Sequence, residues 1–94
     1  MTVLVEDNPA RNRFEILIDD GLAGFASYRP GPAPVTVTHT EIDPAYRGRG
    51  AGDALAHGLL SQIRDRGERV VPQCPFIAAY IGRHPEFAEL VAGD

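Results

Sequence analysis

The sequence predicts an α+β domain: a mixed, mostly antiparallel sheet with helices packed on it, in the order β-β-β-α-β-α. Three observations carry this. Residues 14–42 hold three strand-like runs divided by turn signals. Residues 50–66 repeat apolar side chains at helical spacing. A second short apolar run, Arg69 to Pro72, follows that helix. A strand, a helix and a strand in succession imply a parallel crossover, which is right-handed by strong preference.

The elements follow in order. "VEDNPARNR" reads as a loop, broken at Asn8-Pro9. Phe14 to Ile18 is a short strand closed by the turn signal Asp19-Asp20-Gly21. Leu22 to Tyr28 resumes as its hairpin partner, and "RPGPAP" at 29–34 excludes regular structure. Val35 to Ile42 is the strongest strand, rich in β-branched residues. Its alternation puts Val35, Val37, His39 and Glu41 on one face and Thr36, Thr38, Thr40 and Ile42 on the other. "DPAY" is a turn. In the helix from Gly50 to Arg66, Ala51, Leu55, Leu59 and Ile63 recur every four positions, with Ala56 and Leu60 beside them, and Gly67 caps the end. Phe76 to Arg83 is a second helix stopped by Pro85, and "PEFAELV" is a final helical turn or two.

A chain of 94 residues suits one domain spanning 1–94, with a single modest core. The net charge of −4, from nine arginines without a lysine and thirteen acidic residues, argues against general nucleic-acid binding. No apolar run approaches the ~20 residues that cross a bilayer, and the acidic N-terminus does not read as a secretory signal. The expectation is a cytoplasmic protein without membrane partners. Cys74 is the single cysteine, so no internal disulfide forms.

"AYRGRGAGDAL", residues 45–55, places Gly48, Gly50 and Gly52 where the long helix opens. The first helical turn leaves about four N–H groups without partners, and the helix dipole adds positive potential there. Without Cβ atoms an anion can rest against the backbone, and Arg47 and Arg49 add fixed charge. No Gly-Lys-Ser/Thr follows, so this is not a Walker A loop. A tight turn with solvated arginines is the plainer alternative.

Arg47-Gly48-Arg49-Gly50-Ala51-Gly52 resembles the Arg/Gln-x-x-Gly-x-Gly/Ala signature of the GCN5-related N-acetyltransferases, whose loop holds the coenzyme A pyrophosphate. The resemblance extends to a small subgroup of about this length. Its blocks here are His39-Thr40-Glu41, Arg47 to Gly50, Pro72-Gln73-Cys74-Pro75-Phe76 and His84-Pro85-Glu86, over residues 13–91. The resemblance implies a minimal form of that fold, pared of its usual N-terminal helices. It implies acetyl-coenzyme A-dependent transfer to the amine of a small molecule or peptide. Coenzyme A would lie in a splay between Val35–Ile42 and Arg69–Pro72. The residues implied around it are Ile42, Arg47, Gly48, Arg49, Gly50, Ala51, Gly52, Asp53, Cys74 and Tyr80. A binding module without efficient turnover, or an interaction domain that keeps only the fold, are the alternatives.

Thioester transfer needs donors for a developing oxyanion, a base for the amine and an acid for the thiolate. Cys74, stiffened between Pro72 and Pro75, is a candidate nucleophile or neighbour of the sulfur; a buried small apolar residue is its structural alternative. Glu41 is the candidate base, with His39 on the same face; a solvated strand end and a hydrogen-bonded histidine are the alternatives. Tyr80 is the candidate acid by position in the larger family, against a role in packing. His84 reads as a helix-end residue and His57 as exposed. No paired metal-ligand spacing is present, so no metal is expected.

Overall fold

Two adjacent aspartates make the first tight turn. In the computed structural model, which describes residues 1–92, Asp19 and Asp20 take φ of 49° and 69°. Both are left-handed, as a two-residue hairpin of right-handed twist requires. They join β2 (Arg13–Ile18) to β3 (Gly21–Tyr28). Gly21, which follows them, leaves room for Tyr46: a Cβ there would lie 2.5 Å from the Tyr46 hydroxyl.

Five strands form one sheet in the order β1-β2-β3-β4-β5, with β1 at Val3–Asn8, β4 at Val35–Ile42 and β5 at Val70–Pro72. The first three junctions are antiparallel, and β4 pairs with β5 in parallel. The helices are α1 (Ala51–Asp65) and α2 (Pro75–Arg83), with short 3-10 turns at Pro9–Arg11, Pro44–Tyr46 and Pro85–Leu90. The mixed α+β sheet with its parallel crossover is as the sequence predicts. Among the described residues, no helix is long and apolar enough to cross a membrane.

One strand departs from expectation. The segment read as a loop at 5–13 overlaps residues 5–8 of β1, which pairs with β2 along its whole length from Val3↔Ile18 to Asn8↔Arg13. Its polar end is accommodated by bonding. Asp7 accepts hydrogen bonds from the Tyr28 hydroxyl at 2.6 Å and from Arg66 at 2.7 Å. The final helical stretch is a 3-10 turn, and β5 begins at Val70 rather than Arg69.

The core lies on one face of the sheet. Leu55, Ala56, Leu59, Leu60 and Ile63 of α1 pack without exposure on Phe14, Ile16, Ala26 and Val37. Gly58 lets α1 approach β1, since a Cβ would meet the Val5 side chain at 2.5 Å. Gln62 then donates to the Val5 carbonyl oxygen at 2.7 Å. Gly67 (φ 71°) closes the helix as expected, with Glu68 N–H bonded to Ile63 O and Gly67 N–H to Arg64 O. The opposite face carries Leu4, Glu15, Leu17, Leu22, Phe25, His39 and Glu41, none of them buried.

A bulge overturns the face assignment in β4. Ser27 pairs with His39 but Tyr28 pairs with Val37, so β4 holds one extra residue at Thr38. Val37 is fully buried, whereas His39 and Glu41 are 61% exposed in their side chains. Beyond the bulge the core side belongs to Thr40, which meets Cys74, and to Ile42, which packs on the core.

Candidate functional site

The parallel pairing of β4 and β5 lasts only from Val35↔Val70 to Val37↔Pro72. Cys74 N–H bonds the Val37 carbonyl oxygen, and the chain then leaves for α2. Past Val37, β4 keeps β3 as its one strand partner. Asp43 N–H points to Ala23 O on the β3 side. Strand alternation therefore turns the backbone groups of Ile42 and Thr40 toward the opened side. A groove of about 470 Å³ follows this free edge, from Thr40, Glu41 and Ile42 past Phe76 to the glycine loop.

The loop is built by removing side chains. Gly48 (φ 80°) and Gly50 (φ 74°) are left-handed, and a Cβ at either would meet nothing within 4 Å. Gly50 is the N-cap of α1 and offers no side-chain cap. The first helical bond is Ala54 N–H to Gly50 O, so the N–H groups of Ala51, Gly52 and Asp53 lack helical partners. Arg47 lines the groove, and neither Arg47 nor Arg49 is paired with a carboxylate among the described residues. Free amides, a helix N-terminus and a guanidinium without a carboxylate partner are groups that suit an anion. Asp53 opposes them in sign, but Arg83 of α2 sits 3.5 Å from its carboxylate.

The sequence-derived residues divide into two groups. Ile42, Arg47, Gly48, Gly50, Ala51, Gly52 and Asp53 line the groove, as does Glu41. Arg49 does not; its guanidinium lies 5.8 Å from the Tyr46 ring centre. Cys74 and Tyr80 stand behind the wall, 4% and 3% exposed. The Cys74 sulfur is 3.2 Å from Thr40 Oγ1, and Thr40 does line the groove. Tyr80 stacks on His84 with ring centres 3.9 Å apart, and His84 Nδ1–H donates to the Tyr80 carbonyl oxygen at 2.9 Å. Burial, then the charges of Asp53 and Glu86, raises the Tyr80 phenol above its ordinary range. His39 Nε2 lies 3.1 Å from Glu41 Oε2 on the uncovered face. His57 is exposed, edge-on to Phe87 at 5.8 Å.

Thr40, Tyr46 and Phe76 line the groove without having been assigned a role from sequence. Phe76 carried a signal: it is an apolar residue in the first turn of a helix and remains 38% exposed. Gly52 makes room for it, since a Cβ there would meet the Phe76 ring at 2.8 Å. Thr40 stood in sequence only within the block His39-Thr40-Glu41, because the bulge that turns it inward has no mark in the alternating pattern.

The family model described as GCN5-related N-acetyl-transferase matches residues 13–90. The structure is similar to the NMR structure of a GCN5-like candidate N-acetyltransferase from Staphylococcus aureus. That match has 16% identity, covers 97% of this chain and 89% of that one, and has a TM-score of 0.68. It is similar too to a ribosomal-protein-alanine N-acetyltransferase from Brucella melitensis biovar Abortus 2308, at 20% identity and a TM-score of 0.52. This covers 87% of this chain and 62% of that one. At such identities the likeness is one of fold. No curated protein matches the chain.

Proposed function

The chain belongs to the GCN5-related N-acetyltransferase family, and on that premise we propose that it moves an acetyl group from acetyl-coenzyme A to an amine. The observation carrying this is the continuity of the anion receptor with the groove along the free edge of β4. A diphosphate fits where Gly48 and Gly50 leave the backbone bare. The slender chain attached to it fits the groove, where the Ile42 and Thr40 backbones offer amide donors and acceptors. Bound there, the coenzyme would supply an acetyl thioester.

The residues divide the remaining work. Arg47 and the first turn of α1 hold the diphosphate. The unpaired N–H groups of β4 steady the oxygen of the carbonyl under attack. Glu41, open to the uncovered face and bonded to His39, accepts the proton that the amine gives up as its nitrogen bonds carbon. The Thr40 hydroxyl faces the departing sulfur, with the Cys74 thiol behind it as proton reserve. Tyr80, walled off and held protonated, supports α2 through His84.

A binding module with little turnover is the second reading. One observation favours it: a 3-10 turn of three residues joins β1 to β2, so no helix there walls an acceptor site. Titration calorimetry with acetyl-coenzyme A, followed by a screen of amines for acetyl transfer, tests both. Micromolar binding with transfer supports the enzyme, and binding with every amine silent supports the module. Absence of binding defeats both.

A further inference from the structure

A second cavity, of about 260 Å³, opens between the start of β3 and the end of β4. Leu22 and Phe25 give it an apolar wall, and Glu41, Asp43 and Arg47 bring charge. Leu22 is 45% exposed, so its side chain is open to a ligand in the cavity. The Phe25 ring is held in place. The Arg13 guanidinium lies 4.4 Å from its centre, anchored by Glu15 at 2.8 Å, and the His39 ring stands edge-on at 6.3 Å. Glu41, Ile42 and Arg47 line both this cavity and the groove, so the end of β4 is the partition between them.

We propose that this cavity seats the apolar arm of the acceptor, and that the acceptor is a primary amine carrying one compact hydrophobic group. The proposal rests on the acetyl-transfer reading and names its substrate class. Glu41 spends one oxygen on His39 and keeps the other for the ammonium end. Asp43 is partly committed, accepting Ala45 N–H at 2.8 Å. Leu22 and Phe25 repay an alkyl or aryl group, whereas a second ammonium set against these two side chains would lose water that the apolar wall does not replace. Arg47 is the cation on this wall, and a diphosphate in the groove neutralises it. The free oxygens of Glu41 and Asp43 then face the amine without Arg47's opposing charge, so amine binding strengthens once coenzyme A is in place.

Amide and methyl NMR of the protein, first titrated with coenzyme A and then with hexylamine or hexamethylenediamine, tests this. The two amines differ only in a terminal ammonium. Saturable shifts at Leu22, Phe25 and Glu41 with hexylamine are expected, and binding of the diamine weaker by about tenfold. Leu22→Lys, at an exposed position, is expected to weaken hexylamine by about tenfold and leave coenzyme A affinity unchanged; Leu22→Met restores binding. Shifts confined to another surface, equal binding of the diamine, or indifference to Leu22→Lys overturns the proposal. Failure of the initial coenzyme A titration defeats the acetyl-transfer reading instead.

Discussion

The two ends of α1 are built by opposite means. At the C-terminal end, side chains lock together: Arg66 reaches Asp7 at 2.7 Å, Asp7 takes the Tyr28 hydroxyl, and Arg66 lies over the Phe14 ring at 5.6 Å. At the N-terminal end, side chains are withdrawn: the cap is a glycine, and Arg47 and Arg49 have no carboxylate partner among the described residues. The same residue type, arginine, is satisfied at one end and left wanting at the other. A fold fastened at one end of a helix can leave the other end short of partners, and the proposed coenzyme site rests on that shortage.

The sharpest way to break this contrast is at the bare end. Gly50→Glu adds a carboxylate where a Cβ meets nothing, at a φ of 74° that strains any side chain, and Gly50→Ala carries the same strain without the charge. With the glutamate, coenzyme A affinity is expected to fall by at least about a hundredfold, read by calorimetry, while circular dichroism stays native. Unchanged affinity would remove the receptor assignment. At the fastened end, Asp7→Ala strands Tyr28 and Arg66 together. Urea unfolding is expected to show a loss of about 2 kcal/mol, with coenzyme A affinity intact. Equal stability would mean that this end is not a fastening.

Smaller changes separate the arginines. Arg47→Ala, on the groove wall, is expected to weaken coenzyme A by about tenfold, and Arg49→Ala, beside Tyr46, by no more than about twofold. Calorimetry that ranks Arg49 first reverses their roles. The smaller effect on stability is Tyr28→Phe, costing about 1 kcal/mol at neutral pH. Burial first, and the bond to Asp7 second, push the Tyr28 phenol up to about 12 from 10.0. A raised value means the fold prefers the protonated phenol. Its contribution is complete below pH 10 and fades as pH climbs through about 12. Stability measured across that window should fall less steeply in Tyr28→Phe, with a residual slope from Tyr80, whose phenol is raised too.

Whatever depends on local chemistry was legible in the sequence. The hairpin at Asp19-Asp20, the helix with Leu55, Leu59 and Ile63 facing the core, its cap at Gly67 and the glycine loop all follow from residues near one another. Whatever depends on a distant partner was not. Glu6-Asp7-Asn8, inside the stretch 5–13 read as a loop, is polar, and becomes part of a strand because β2 pairs with it and Asp7 finds Tyr28 and Arg66. The bulge at Thr38 is set by register against β3, so strict alternation misplaced His39 and Glu41 relative to Val37. Cys74 and Tyr80 are buried and do not line the groove, a matter of packing that spacing does not encode.

Gln62 has a consequence of another kind. An edge strand such as β1 tempts other chains to extend the sheet, the first step toward fibrils. The Val5 carbonyl that a newcomer would seek is already occupied by the Gln62 amide, and Asp7 farther along is tethered to Arg66. The helix thus acts as a guard rail, and Gln62→Ala should shorten the lag before turbidity appears in concentrated, gently agitated solution.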